Sequence, residues 1–177
     1  DVFHDFTEGL RRTISGAATE YFHRLVGEDS QRALQQVVVD GRYSLEVRDK
    51  FDQDFLANIS AGQRQLVSIA FILALAEAAG GTAEGPLPMP LFMDTPFGRL
   101  DFGHRRSLLL TLPDECSQWV LLVTGTEFTR SEARILRNGS RWSRAYRLEA
   151  TDDGSTEIRQ FTPDDIFPVL NEGGAAK

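Results

Sequence analysis

The sequence predicts an α/β fold with an antiparallel edge, and three observations carry that reading. Apolar residues near the start recur every three or four positions, short apolar runs alternate with helical stretches through the middle, and Asp-Gly pairs sit between β-rich runs at both flanks. No internal repeat or low-complexity segment interrupts this order.

Phe3, Phe6, Leu10, Ile14, Ala17, Ala18, Tyr21, Phe22 and Leu25 share one helical stripe, which predicts a helix from Phe3 to about Leu34 with one buried face. The pattern starts without a cap, so this segment (1–36) is expected to be the end of something longer. "QQVVVDGRYSLEV" places Asp40 and Gly41 between two β-rich runs, the signal for a tight hairpin turn. A helix opens at Gly62, and "GGTAEGPLPMP" after it reads as a loop ending in a proline. "LFMD" (91–94) is a short apolar run stopping at a carboxylate, as a buried strand does when its C-terminal end meets a site. "FGHRRSLLLTL" (102–112) reads as a helix, "WVLLVTG" (119–125) as a second buried strand, and "TRSEARILRNG" as a helix closed by Asn138 and Gly139. "RAYRLEATDDGSTEIRQF" is two strands joined at Asp153 and Gly154, and residues 163–177 form the expected C-terminal tail.

With 177 residues, 41% hydrophobic and 25% charged, the sequence suits one globular domain or one lobe of a larger one. A net charge of -7 excludes a free-standing, generally basic nucleic-acid binder, so any DNA contact must be local. The single cysteine, Cys116, excludes an internal disulfide, supplies no metal constellation and fits a reducing cytoplasmic compartment, where its role is packing. His4, His23 and His104 are scattered. The opening "DVFHDFTEGLRR" lacks the basic-then-apolar pattern of a secretory leader. The apolar run from Leu66 to Ala79 carries Ser68 and Glu77 and falls short of the roughly 20 residues that span a bilayer, so it is expected to be a buried helix rather than a membrane segment.

The chemistry starts at "NISAGQRQ". Ser60 occupies the N-cap position, and Ala61 and Gly62 are small enough to leave the first backbone N–H groups uncovered. Such a helix start attracts anions through its N–H groups and dipole, and a hydroxyl adds a donor. The apolar run behind it would hold that N-terminus rigidly. Read alone, Ser60 is an ordinary cap, and Asp94 is equally a strand-end aspartate in a turn or a site carboxylate.

Taken together and in this order, the two stretches resemble the second half of an ABC-type ATPase head: "ISAGQRQ" resembles the ABC signature, "LFMD" Walker B and "GRLD" the D-loop. The match is to the SMC-like group, whose heads are split between the two ends of a chain with long coiled coils. "SAGQRQL", "MDTPFGRLDFGHRR", "LLVTGTEF" and "AYRLEATDDGST" resemble the C-terminal segment of the DndD family, the ATPases of DNA phosphorothioation (sulfur modification), over about residues 10–162. The implied fold is the C-terminal lobe of an ABC-type head, with a P-loop NTPase-like sheet, over residues 37–162, and residues 1–36 become the root of a coiled coil.

The resemblance implies that Ser60, Ala61, Gly62 and Gln63 contact the γ-phosphate of ATP held by the other protomer, two heads sandwiching two nucleotides. Asp94 would hold Mg²⁺ through water, and Asp101 would lie at the dimer interface. Two positions depart from the pattern. Where most heads place a glutamate after the Walker B aspartate, this sequence has Thr95, whose hydroxyl orients water but is a poor base; where a switch histidine ends the next strand, it has Gly125. Glu127 and Asp101 are the candidate substitutes. G-x-x-x-x-G-K-[ST] is absent, and the only lysines are Lys50 and Lys177. This segment is therefore expected to be part of an ATPase that is incomplete without an N-terminal Walker A lobe.

The implied partners are that lobe, a second copy through ATP-sandwiched heads, DNA, and other subunits of a DNA-modification complex, with no membrane. The alternative is a nucleotide-gated structural DNA clamp of the break-repair and cohesion type with little hydrolysis. A third reading is an α/β domain whose phosphate-binding helix serves an unrelated ligand. "TRSEARILRNGSRWSRAYR" (129–147) carries six arginines with Trp142 and Tyr146, a mix that grips phosphates or simply solvates a helix face and strand edge. His104, Arg105 and Arg106 lie either at the head interface or on a solvent-facing helix start.

Overall fold

A computed structural model of the protein describes residues 2–26, 34–54, 56–80, 87–139 and 141–162. Helix α1 (Val2–Val26) is followed by an antiparallel hairpin of β1 (Leu34–Val39) and β2 (Leu45–Asp49), a 3-10 turn (Leu56–Asn58) and helix α2 (Ala61–Gly80). Strand β3 (Leu87–Asp94), helix α3 (Phe102–Glu115) and strand β4 (Cys116–Leu122) form a parallel β-α-β unit. Helix α4 (Arg130–Asn138) and the antiparallel ribbon β5 (Ala145–Ala150) and β6 (Thr156–Phe161) complete the described chain. The tail expected over 163–177 lies outside the described residues.

The α/β class is as the sequence predicts, but the strands do not share one sheet with an antiparallel edge: the described residues form three two-stranded sheets. Strand pairing depends on contacts remote in sequence, which periodicity does not encode. Of the helix expected over 1–36, the described part is Val2–Val26 and residues 27–33 lie outside the described residues, whereas Leu34 to Gln36 belong to β1 and not to a helix, ahead of the β-branched run Val37, Val38, Val39. Its expected buried stripe is also divided. Ile14, Ala18, Tyr21, Phe22 and Leu25 are buried, whereas Phe3 and Phe6 are exposed, so the stripe continues beyond the body that covers its second half.

Strand β3 starts four residues before "LFMD" and includes Pro88 and Pro90, which the sequence places in a loop. Proline is tolerated there because β3 pairs on one side only, with a register irregularity between Leu87 and Pro90. Neither β3 nor β4 is the fully buried strand its composition predicts, since Phe92 is 67% and Leu122 46% exposed. On α2, Leu66, Val67, Ala70 and Leu73 are buried, but Ile72 is exposed on the face nearest Phe92.

The core lies between the three long helices and the hairpin, with Phe22, Leu25, Leu66, Leu73, Leu108, Leu109, Val37 and Val47 fully buried. Each such side chain contributes roughly 1.5–3 kcal/mol by leaving water. A polar clasp crosses this packing: Arg24 lies 4.6 Å from the Tyr21 ring centroid and 3.3 Å from Glu115, and Tyr21 hydrogen-bonds Glu77, so α1 is tied to both α2 and α3. Burial raises the Glu115 carboxyl above its ordinary pKa.

The first hairpin turn differs from the tight Asp-Gly turn expected. Asp40 N–H donates to the Ser44 carbonyl at 2.9 Å, Tyr43 N–H to the Asp40 carbonyl at 3.0 Å, and the left-handed residue is Tyr43 (φ 62), not Gly41. The same pattern closes the last ribbon at Thr151 to Ser155, where Gly154 (φ 81) takes the left-handed position as its sequence predicts.

Among the described residues no helix is long and apolar enough to cross a membrane.

Candidate functional site

Helix α2 starts with a reciprocal cap. The Ser60 hydroxyl oxygen accepts from Gln63 N–H at 3.1 Å, and Gln63 Oε1 accepts from Ser60 N–H at 2.9 Å. This arrangement consumes acceptors and leaves donors: the Ser60 hydroxyl hydrogen, the Gln63 side-chain NH₂ and the N–H groups of Ala61 and Gly62, which precede the first intrahelical bond. Ser60 and Ala61 are exposed and Gln63 is half-buried, but Gly62, whose N–H the sequence expects to be uncovered, is buried. The helix start therefore presents hydrogen-bond donors to solvent, the requirement for an anion site.

Gly62 has a tighter reason to be glycine than small size alone. A Cβ there would lie 2.6 Å from the Arg99 carbonyl oxygen and 3.5 Å from Leu100, so the loop after β3 crosses directly over the helix start. One turn on, Gln65 Nε2 donates to the Pro96 carbonyl at 2.7 Å. These two contacts join the stretches that the sequence separates, the signature-like helix start and the segment from Asp94 to Asp101.

Asp94 ends β3 with its side chain exposed, beside a groove of about 180 Å³ lined by Gln65, Ile69, Ile72, Leu91, Phe92, Met93 and Pro96. Thr95 N–H donates to the Leu122 carbonyl at 2.9 Å, fastening the loop to the end of β4. Thr95 itself has φ 45, a left-handed conformation that a β-branched residue adopts only under strain. Its side chain is exposed and forms no hydrogen bond among the described residues. Asp101 caps α3: Oδ1 accepts His104 N–H at 2.8 Å and Oδ2 lies 2.8 Å from His104 Nδ1. His104 is thereby committed to the cap rather than to solvent.

Glu127, two residues beyond Gly125, folds back onto the same loop. A Cβ at Gly98 would sit 3.1 Å from Glu127 Oε1, and Thr124 Oγ1 donates to Glu127 Oε2 at 3.5 Å. Gly125 has open space around it. The residues singled out by sequence thus converge on one end of the molecule, with the 95–101 loop as their common neighbour. Gln65 and Gly98 are neighbours that sequence reasoning missed, whereas Arg105, expected at the head interface or on a solvent-facing helix start, turns a half-buried guanidinium onto the Leu100 and Glu127 carbonyls. Gln65 stands inside the quoted motif and Arg105 one turn after Asp101, but both act on backbone carbonyls.

Among the described residues no three His, Cys, Asp or Glu side chains cluster as a metal site. A lone strand-end carboxylate fits Mg²⁺, which keeps several waters and is held by one or two carboxylates plus substrate phosphates rather than by an all-protein cage. The larger groove, about 450 Å³ between α1 and β1, lies away from these residues, and its hydroxyls are spent on the strand edge. In the arginine-rich stretch, Arg141 pairs with Asp114 at 2.5 Å, Arg147 with Glu149 at 3.0 Å, and Trp142 packs edge-on against Phe128 at 5.7 Å. Trp142 is therefore a packing residue and not a stacking platform. Cys116 is likewise buried, its thiol donating to the Leu112 carbonyl at 3.3 Å.

No protein-family model and no curated protein sequence matches this chain. Solved structures do. A chain from work on the ATP-driven dimerisation and DNA-stimulated activation of SMC ATPases is 13% identical, superposes with a TM-score of 0.66 and matches over 98% of both chains. The Smc head domain with coiled coil and joint from Pyrococcus yayanosii is 14% identical with a TM-score of 0.63, covering 92% of this chain and 29% of that one. The SMC head domain from Thermotoga maritima is 14% identical with a TM-score of 0.53, covering 85% of this chain and 48% of that one. This protein has the α/β fold found in SMC ATPase head domains.

Proposed function

We propose that this chain is the C-terminal segment of an ATP-binding head of the SMC-like type, carrying the signature, Walker B and D-loop and completed by an N-terminal lobe that carries Walker A. The observation that supports it most is the junction at one end of the fold, where the 95–101 loop crosses Gly62 and bonds Gln65, holding an exposed donor-rich helix start and the Asp94 carboxylate in one unit. In this reading Ser60, Ala61, Gly62 and Gln63 donate to the γ-phosphate of ATP bound by a second copy. Asp94 would hold Mg²⁺ through water, and Asp101 lies at the interface between heads. Magnesium supplies charge neutralisation on the β- and γ-phosphate oxygens when bound.

Thr95 orients the attacking water, and Glu127, held against the adjacent Gly98, accepts its proton. The uncovered faces of Phe92, Leu122 and Ile72 suit burial against the Walker A lobe. The uncovered stripe of Phe3 and Phe6 suits a coiled-coil partner helix. The resemblance to the DndD family supports a place for the assembly in DNA sulfur modification or DNA-directed defence in the cytoplasm, with DNA and other subunits of a modification complex as partners. A second reading rests on one observation: Thr95 and not a carboxylate stands directly after Asp94, so a head that binds ATP and clamps DNA with little turnover is the alternative.

The test is ATP binding and hydrolysis by this chain assembled with the Walker A lobe of its own protein. The proposal expects turnover that Asp94→Asn abolishes and that Ser60→Arg abolishes without loss of ATP binding. ATP binding without turnover selects the clamp. Binding of no nucleotide at all contradicts both readings.

A further inference from the structure

Arg105 bonds two loops that carry candidate site residues. Its Nε donates to the Leu100 carbonyl at 2.9 Å, within the loop that crosses Gly62. Its Nη1 donates to the Glu127 carbonyl at 3.3 Å, on the loop after β4. The same nitrogen lies 3.5 Å from Glu132 Oε1, a carboxylate whose residue is only 2% exposed. Glu132 is immobile for a local reason: it completes the α4 capping box, accepting from both the backbone N–H and the hydroxyl of Thr129. A buried anion therefore aims the guanidinium, and its Nε and Nη1 each reach a backbone carbonyl of a different loop. The Glu127 carboxylate against Gly98 is a second contact between the same loops.

We infer that Arg105 is a positioning residue that makes the 97–101 loop and the 124–128 loop move as one unit. Arginine is required because its planar fork places N–H groups on separate nitrogens toward separate acceptors, whereas a lysine carries its three donors on one nitrogen, which placed at Glu132 leaves at least one loop unbonded. The consequence for ATP use rests on the function proposed above: a displacement of Asp101 by a second head would reach Glu127 through Arg105, linking head engagement to the group beside the γ-phosphate.

The experiment reads the coupling directly, without nucleotide, by amide hydrogen exchange. Thr124→Ala removes the hydroxyl that contacts Glu127. In the parent chain this substitution speeds exchange of the Leu100 amide, which donates to the Phe97 carbonyl, by about tenfold; in an Arg105→Lys background the added effect falls below about twofold. Arg105→Gln, which cannot bond both loops, gives the same loss and serves if the lysine variant fails to fold. A Leu100 response as large in the Arg105→Lys or Arg105→Gln background as in the parent overturns the inference. In the assembly with the Walker A lobe, Arg105→Lys lowers kcat by about 10²-fold with KM unchanged. Turnover at the parent's kcat despite lost coupling would remove Arg105 from the reaction. Lost coupling in an assembly that never hydrolyses ATP leaves the link between the loops in place and removes the ATPase reading instead.

Discussion

The β1–β2 and β3–β4 pairs are both two-stranded and are finished to different degrees. In β1–β2, Val37 and Val47 are fully buried, and the open edge of β1 is closed by helix α1: Val37 N–H donates to Thr19 Oγ1 at 3.0 Å and Val39 N–H to Ser15 Oγ at 2.9 Å. Two hydroxyls spaced one helical turn apart stand in for a third strand. In β3–β4, Phe92 and Leu122 are exposed, and Trp119 Nε1 is buried without a hydrogen-bond partner among the described residues. Parallel strands ordinarily lie inside a sheet covered on both faces. The difference teaches that the covered pair is scaffold, while the uncovered pair carries Asp94 and Thr95 and offers apolar surface to something else.

The largest effect should separate the two pairs outright. Val47→Ala removes fully buried methyl groups and is expected to cost about 2–3 kcal/mol, whereas Phe92→Ala, a larger truncation on the uncovered pair, should stay within about 0.5 kcal/mol. Urea unfolding of both variants checks this, and equal losses would break the comparison. Next in size is Gly62→Ala, whose Cβ meets the Arg99 carbonyl: a cost of about 1–3 kcal/mol from overpacking is expected in the same denaturation series. A neutral result would mean that the loop is not seated on the helix start. Thr19→Val keeps shape but removes the acceptor closing the β1 edge, and should cost about 1 kcal/mol while speeding exchange of the Val37 amide.

The smallest effect is on pH dependence. Burial opposes ionisation of Glu132, but hydrogen bonds from Thr129, its own backbone N–H and the Arg105 charge outweigh it, so its pKa falls below the ordinary 4.5. A depressed folded pKa means the contribution is complete above 4.5 and is lost as pH falls through the lowered value. Acid unfolding of Glu132→Gln should therefore be flatter in that range than that of the parent. An identical acid limb would show that Glu132 is not held ionised.

Much of this architecture was legible because helix and strand periods are local. Ser60 marks the start of α2 within one residue, Asp94 marks the end of β3, and Gly154 takes the left-handed position that its Asp-Gly pair predicts. The first turn went otherwise because Asp40 accepts the N–H groups of Arg42 and Ser44 and pushes the left-handed role onto Tyr43. Strand pairing was not legible, since nothing in Val37 to Val39 names Thr19 or Ser15 as the neighbours of their edge. In the site, the motif residues stood out by type and order. Gln65 did not, and Arg105 stood out only within the His104, Arg105, Arg106 run and without its bonding role, because a backbone carbonyl has no identity in a sequence: the Leu100, Glu127 and Pro96 oxygens they bond are chemically the same as any other.

The central claim, that Ser60 serves a nucleotide held by another copy, is tested most directly by mixing two inactive assemblies. One carries Ser60→Arg with an intact Walker A lobe, and the other carries intact Ser60 with the Walker A lysine replaced by alanine. If Ser60 acts in trans, the mixed dimer contains one complete site and hydrolysis returns when the two are combined. If the mixture stays as inactive as its components while the unaltered assembly turns over, Ser60 does not complete a site in a second copy and the account is contradicted.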